Sequence, residues 1–186
     1  MTDRDLAFTP AWKLRRMLDT KELSPIELTE LYLRRIEEFD PHLNAYLTVT
    51  GDRALSEAKD AEDRLVKGER GALLGIPISV KDLELTEGVR STMGSLIFKD
   101  TVPDINSEVV SRVKKAGAIS LGKTNTPEFG LSGTTENRLG EPCRNPWNTE
   151  RTSGGSSGGA GAAVASGLCS IAIGSDGGGS IRIPSS

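Results

Sequence analysis

The first third of the chain repeats its apolar residues at the spacing of amphipathic helices. Thr9–Pro10 has the residue types of an N-cap followed by a first helical position, and Ser24 opens a capping box before a second apolar stripe. A third helix is predicted over about residues 53–67, where alanine and leucine recur on one side until a glycine ends the pattern. We therefore predict a helical segment over about residues 9–68.

From about residue 72 the pattern changes to that of β-strands. Residues 75–80 alternate apolar side chains with a period of two and predict a strand that ends at Lys81. Ala118–Leu121 and Leu168–Ile173 are predicted as buried strands, each preceded by a helical stretch.

The helices between these strands also have sequence signals. Ser107 is expected to cap one of them, and the other, rich in glycine and alanine, covers Gly158–Gly167. Such alternation predicts a layered α/β fold with a largely parallel sheet. We treat residues 1–186 as one domain with an α/β core over about 72–186, and we expect a last strand at Ile181–Ile183.

Charge and composition exclude several classes of protein. Lys and Arg number 23 against 26 Asp and Glu, a net charge of −3, which disfavours a protein that binds nucleic acid by neutralising phosphates. The 2 cysteines are too few for a disulfide framework or a four-ligand zinc site. No secretory signal or bilayer-spanning stretch is visible, so we expect a cytoplasmic protein that uses neither a membrane nor a metal.

The single histidine limits the available chemistry. His42 is expected in a polar turn between helices, where a solvated side chain is the ordinary interpretation. A serine nucleophile in this chain would therefore need a base other than histidine.

Residues Gly117–Thr124 match the phosphate-binding pattern G-x-x-x-x-G-K-[ST]. That motif needs a strand before the loop and a helix after it. Here a predicted helix precedes the first glycine, the middle residues are the predicted strand, and Thr126–Pro127 follows at once. We therefore interpret the match as accidental.

Two glycine-serine segments carry the stronger chemical signals. Ser153–Gly159 is either a flexible linker or a tight path into a helix N-terminus, and the small-residue helix that follows favours the second. Gly174–Pro184 follows a predicted strand and is either a glycine turn or a loop whose N–H groups converge on an oxyanion. A turn alone would not account for Asp176, Ser180 and Arg182 together.

A lysine at a strand end inside a sheet is a candidate base. Burial would lower its pKa and make the neutral amine usable for proton transfer. Lys81 and Lys123 each end a predicted strand, so both are candidates, although most lysines are solvated surface residues.

Taken together, these segments resemble the amidase signature family, the serine hydrolases with a Ser-cisSer-Lys triad. The family's lysine follows a Gly-Ile-Pro strand, here at Lys81. Its cis-serine is the first serine of Gly-Gly-Ser-Ser-Gly-Gly, here Ser156, and its nucleophile closes Gly-Ser-Asp-x-Gly-Gly-Ser, here Ser180. The resemblance covers about residues 10–186, implies an α/β/α layered fold with a mixed, largely parallel sheet, and makes Lys123 a neighbouring polar residue.

The resemblance implies hydrolysis of a small-molecule amide through an acyl-enzyme, with no cofactor. Ser180 would attack the carbonyl while Ser156, which follows a cis peptide bond, passes a proton to neutral Lys81. The other implied residues are Gly130 in the acyl pocket, Gly177, Gly178 and Gly179 with Ser156 and Ser180 around the oxyanion, and Ser157, Asp176 and Arg182 in support.

Two alternatives to a stand-alone amidase remain open. One is the glutaminase (A) subunit of a tRNA-dependent amidotransferase, which works with partner subunits. That protein usually has Thr at the position of Gly177 and Gln at the position of Ile183, so this chain is nearer to the stand-alone amidases. The other is a non-catalytic, truncated fragment, because family members are much longer than 186 residues. The resemblance also allows a homodimer.

Overall fold

The computed structural model describes residues 2–186 and contains a four-stranded sheet flanked by helices. The strand order is β1-β3-β2-β6, with β3, β2 and β6 mutually parallel and β1 antiparallel to β3. This is the mixed, largely parallel α/β sheet that the sequence predicts. The helices are α1 (Asp3–Ala7), α2 (Ala11–Asp19), α3 (Pro25–Leu43), α4 (Gly51–Val66), α5 (Glu108–Lys115) and α6 (Gly158–Ala165), and the strands are β1 (Tyr46–Val49), β2 (Pro77–Lys81), β3 (Ile119–Thr124), β4 (Arg144–Asn145), β5 (Asn148–Thr152) and β6 (Ile171–Ile173).

The predicted helices of the N-terminal segment are confirmed, with small shifts at their ends. The capping box at Ser24 forms with Glu27, as expected. Helix α2 begins one residue later than predicted, because Pro10 occupies the cap position with an extended backbone. A short first helix that the sequence pattern does not reveal is capped by Thr2, which pairs with Asp5 rather than with the glutamate or glutamine of a usual box.

The position predicted for His42 is wrong. This residue lies in the last turn of α3, which continues through Pro41 and ends at Asn44 in the left-handed region, with a φ of 53°. Asn44 can adopt this conformation at low cost, so the helix ends there rather than at the proline. The Asp40 carboxylate then accepts the N–H of Ala45 at 2.7 Å and turns the chain toward β1.

The predicted last strand at Ile181–Ile183 is also wrong. These residues form a turn in which the Ile183 N–H donates to the Gly179 carbonyl at 2.7 Å. The Asp176 carboxylate accepts the backbone N–H groups of Ile181 and Arg182, at 3.0 and 3.1 Å, so the backbone curls around a side chain instead of extending.

The two strands that carry the candidate lysines, β2 and β3, are the buried part of the sheet. All residues of β2 and β3 are buried, and α3, α4 and α6 pack against these strands. Helix α6 packs unusually closely against the end of β3. A Cβ at Gly159 would lie only 2.4 Å from the backbone nitrogen of Asn125, which directly follows that strand. Gly122–Thr124 lie in β3 rather than in a loop before a helix, so the structure does not have the arrangement that the phosphate-binding motif needs. Within residues 2–186, no helix is both long and apolar enough to cross a membrane.

Candidate active site

The alternation of side chains along β2 and β3 separates the two candidate lysines. Lys81 pairs with Thr124 across the parallel ladder, and Val80 pairs with Lys123. Cross-strand partners point to the same face of a sheet, whereas successive residues point to opposite faces. Lys81 and Lys123 therefore leave the sheet on opposite sides, and only one of them can reach any given loop.

Lys81 reaches the serines. Its side chain is fully buried, and its Nζ lies 2.7 Å from Ser156 Oγ, 2.9 Å from Ser157 Oγ and 3.1 Å from Ser175 Oγ. All three hydrogen-bond partners are neutral hydroxyls. The sequence motifs predicted the first two of these neighbours but not Ser175, although it stands immediately before Asp176 in the same glycine-rich segment.

The environment of Lys81 favours the neutral amine. Burial lowers the pKa of Lys81 from 10.5 to about 8, against the opposing influence of the Glu84 and Asp176 carboxylates, which raise it. An amine with a pKa near 8 is partly neutral at physiological pH and can accept a proton.

Ser156 and Ser157 lie directly before α6, in a segment that is hydrogen-bonded to Thr126 and to Ser175. The Gly155–Ser156 peptide bond is cis, as the resemblance implies. The Thr126 hydroxyl, which no sequence motif singled out, donates to the Ser156 carbonyl at 3.0 Å. The Ser157 hydroxyl donates to the Ser175 carbonyl at 3.1 Å and accepts the Ser175 N–H at 3.2 Å. These bonds tie the serine pair to the loop that follows β6.

Ser180 lies at the far end of that loop and beside Ser157. The Ser157 N–H donates to the Ser180 carbonyl at 3.0 Å. Within the described chain the Ser180 hydroxyl makes no hydrogen bond, so it is free to rotate. Gly177 and Gly178 are exposed and have open space where a side chain would be.

One predicted oxyanion donor is already engaged. The Gly179 N–H donates to the Asp176 carboxylate at 2.7 Å, so this amide is not available to an oxyanion in the observed arrangement. Asp176 also accepts from Nε and Nη2 of Arg182, at 3.0 and 2.8 Å. These donors, with Arg182 foremost, hold the pKa of Asp176 well below its usual range. The Asp176 carboxylate therefore holds the glycine loop in its observed conformation by accepting these hydrogen bonds.

Replacing Asp176 with asparagine is expected to loosen this loop. An amide side chain keeps one acceptor oxygen, loses its charge and places an N–H₂ group where three backbone donors now converge. Hydrogen exchange of the Gly179 and Ile181 amides should accelerate clearly, whereas Asp104→Asn, at an exposed loop position, should leave both unchanged. Equal protection in the two variants would contradict the role given to this carboxylate.

Gly130 forms the wall opposite Ser156. A Cβ at this position would lie 3.3 Å from Ser156 Oγ and 2.7 Å from Leu83 Cδ1. The backbone has a φ of +69°, which a side chain rarely adopts. The structure thus brings Gly130 next to Ser156.

Gly130→Ala is expected to destabilise the protein by about 1–2 kcal/mol through its left-handed backbone alone, with the contact to Leu83 adding to this. Urea unfolding measures the loss. Gly140→Ala is the matched control, because a Cβ there meets nothing within 4 Å. If both alanine variants unfold at the same urea concentration, the wall is not constrained as described.

Sequence comparison finds related proteins over most of the chain. The profile of the family described as Amidase matches residues 27–186. The glutamyl-tRNA(Gln) amidotransferase of Azoarcus sp. (strain BH72) has an A subunit that is 49% identical over 174 residues, which make up 94% of this chain and 36% of that protein.

Solved structures of amidases share the fold of this chain. A bacterial aryl acylamidase of the amidase signature family superposes with a TM-score of 0.90 and 38% identity, over 96% of this chain and 37% of that one. The peptide amidase of Stenotrophomonas maltophilia superposes with a TM-score of 0.88 and 35% identity, over 95% of this chain and 38% of the other. These neighbours are stand-alone amidases, as the sequence motifs predict.

The chain spans just over a third of the length of the relatives it matches. Within that span it has the family's sheet, the family's motifs and the expected lysine–serine cluster. Members of this family are hydrolases that act on amides. The chain belongs to the amidase signature family.

Proposed function

We propose that the protein hydrolyses a small-molecule carboxamide through a covalent intermediate on Ser180. The observation that supports this most directly is the fully buried Lys81 amine, 2.7 Å from Ser156 Oγ and, within residues 2–186, hydrogen-bonded only to hydroxyls. A neutral amine in that position accepts the Ser156 proton while it donates to Ser157 and Ser175. This is the contact that a Ser-Ser-Lys proton relay requires.

The proposed reaction has two halves. Ser180 Oγ attacks the amide carbonyl and gives its proton to Ser156, whose own proton passes to Lys81. The tetrahedral intermediate collapses when the C–N bond breaks, and the same relay returns a proton to the departing amine or ammonia. Water then attacks the Ser180 ester and gives a proton to the relay. The ester C–O bond breaks, the relay returns that proton to Ser180 Oγ, and the carboxylate is released. Catalytic hydrogen bonds are often long in free enzymes, so the free rotation of the Ser180 hydroxyl is compatible with this role.

The oxyanion would be held by backbone N–H groups of the glycine loop. Gly177, Gly178 and Ser180 remain the proposed donors, because Asp176 already takes the N–H of Gly179. A well-placed donor of this kind contributes roughly 3–4 kcal/mol of transition-state stabilisation. Ser157, Asp176 and Arg182 hold the loop and the lysine in place, and Gly130 shapes the acyl side of the pocket. No step requires a cofactor.

Labelling with an alkyl fluorophosphonate tests the proposal. Ser180 Oγ would attack phosphorus, fluoride would leave, and the serine proton would pass into the relay. Intact mass spectrometry should show one adduct, and peptide mapping should locate it at Ser180. An adduct at another residue would contradict the proposal. The absence of any adduct on a folded chain would favour the non-catalytic alternative.

A second candidate function is the glutaminase activity of a tRNA-dependent amidotransferase, which the identity to the Azoarcus protein favours. Gly177 and Ile183, which depart from the sequence usual in such glutaminases, argue for a stand-alone amidase. The two functions differ in their substrates and in their need for partner subunits, and the release of ammonia or amine can be measured for each. A glutaminase of this kind should act on glutamine and depend on partner subunits, whereas an amidase should hydrolyse simple aryl or alkyl amides alone.

A further inference from the structure

The second strand-end lysine is buried on the face of the sheet opposite the serines. The Lys123 side chain is fully buried, and its Nζ donates to Ser91 Oγ at 2.8 Å and to the Glu84 carbonyl. It also lies 3.4 Å from Asp82 Oδ1. Burial lowers the pKa of Lys123, and Asp82 opposes this effect. The relay does not use this amine, so its burial needs another explanation.

Asp82 connects Lys123 to a neighbouring loop. Its Oδ2 accepts the Thr92 N–H at 2.8 Å and also the Thr92 hydroxyl, and its carbonyl accepts the Met93 N–H at 3.1 Å. Within residues 2–186, Oδ1 makes no hydrogen bond, and its ion pair is with the Lys123 ammonium group. The Thr92 hydroxyl in turn accepts the Gly94 N–H at 3.1 Å.

The segment held by Asp82 packs directly on the segment that contains Gly130. The Phe129 N–H donates to the Met93 carbonyl at 2.9 Å. Met93 and Phe129 have φ values of 54° and 53°, so both sides of this contact adopt left-handed backbone. A Cβ at Gly94 would lie 2.6 Å from the Thr126 carbonyl oxygen, which leaves no space between the two segments.

A continuous set of contacts therefore runs from one face of the sheet to the other. It begins at the Lys123–Asp82 pair, passes through Thr92 and Met93 to Phe129, and ends at Gly130 beside Ser156 Oγ. Left-handed conformations at non-glycine residues cost free energy and persist only where their surroundings fix them. The anchored Thr92 supplies such a constraint.

We infer that Asp82, whose negative charge is balanced by Lys123, is a positioning residue. It acts through Thr92 to hold the Phe129–Gly130 wall at its distance from Ser156. This inference rests on the proposed function and adds to it a role for residues that do not touch the substrate. The simpler interpretation is that the pair only stabilises the fold. The two interpretations predict different effects on the wall when Thr92 loses its hydroxyl while the charges of Asp82 and Lys123 remain.

The test compares Thr92→Val, which removes the hydroxyl at nearly constant volume, with Thr92→Ser, which keeps it. Thr29→Val is the control, since Thr29 on α3 is equally buried and loses one hydrogen bond, to the Pro25 carbonyl, outside this set of contacts. Two quantities are measured in each variant. One is the hydrogen exchange of the Phe129 amide, and the other is the rate of fluorophosphonate labelling between pH 6 and 10, a range chosen around a Lys81 pKa of about 8.

Thr92→Val should accelerate exchange at Phe129 and slow labelling by about 10–100-fold, as expected for a small misplacement of a reacting group. The pH midpoint of labelling should not move, because Lys81 is untouched. Thr92→Ser should restore both quantities to near those of the parent. Thr29→Val should change neither beyond what its lower stability explains.

Equal exchange at Phe129 in the parent and in Thr92→Val would overturn the inference, and so would equal effects of Thr92→Val and Thr29→Val on labelling. If the parent itself takes no label, the proposed function fails, and the exchange of the Phe129 amide still decides whether Asp82 and Thr92 hold the wall.

Discussion

Lys81→Met should slow fluorophosphonate labelling of Ser180 by about 10³–10⁴-fold, the upper range for the loss of a general base. Methionine fills much of the same buried volume and has no basic nitrogen. The three hydroxyls that now bind Nζ lose their common partner, but the Ser157 hydroxyl keeps its bonds to the Ser175 backbone. We therefore expect a folded protein with a nearly inactive serine, which the second-order labelling rate measures.

The pH dependence identifies the base. The neutral amine is the reactive form, and its population increases as pH rises through a pKa of about 8. Labelling of the parent should therefore increase from pH 6 and level off above that value, whereas the residual rate of Lys81→Met should not follow this curve. Lys59→Met, at an exposed position on α4, serves as the control. A parent rate independent of pH would contradict the assignment of Lys81.

Ser180→Ala should abolish the adduct, a loss on the order of 10⁶-fold in catalysis if Ser180 is the nucleophile. The Ser180 hydroxyl is half-buried and makes no hydrogen bond within residues 2–186, so its removal should leave the thermal unfolding midpoint nearly unchanged. Intact mass before and after labelling measures the first effect, and a thermal melt measures the second.

Ser185→Ala, an exposed serine in the same turn, is the control for Ser180→Ala and should label at the rate of the parent. The informative exception would be an adduct that persists in Ser180→Ala and maps to Ser156. That result would make the buried serine the nucleophile and would overturn the proposed direction of proton transfer.

The sequence predicted the parts of the fold that depend on long patterns. Helix α4 and strand β2 have clear periodicity, and their ends are within a few residues of the prediction. Strand β1 was missed because four residues are too few to show an alternation, and only Tyr46 among them is buried. The strand predicted at Ala118–Leu121 continues to Thr124 in the structure, past Gly122 and Lys123, which interrupt the apolar run.

The site was predictable where residue types alone define it, and less so where geometry decides. Lys81, Ser156 and Ser157 meet as expected. Residue types alone could not separate the two candidate lysines at strand ends. The resemblance favoured Lys81, and the cross-strand register shows that Lys81 and Lys123 leave the sheet on opposite sides. The use of the Gly179 N–H by Asp176, and the false strand at residues 181–183, have one cause: a side-chain acceptor competes with the backbone for N–H groups, and sequence patterns do not record that competition.

The opposite orientations of Lys81 and Asp82 have a consequence for how this gene can change. A deletion or insertion of one codon within β2 would exchange the two faces for every residue beyond it. A carboxylate would then enter the cluster of serine hydroxyls, and an amine would face Lys123 without a counter-charge. Length variation in natural or engineered variants should therefore be absent from β2 and confined to loops such as the exposed segment at residues 68–70, where no strand register would change.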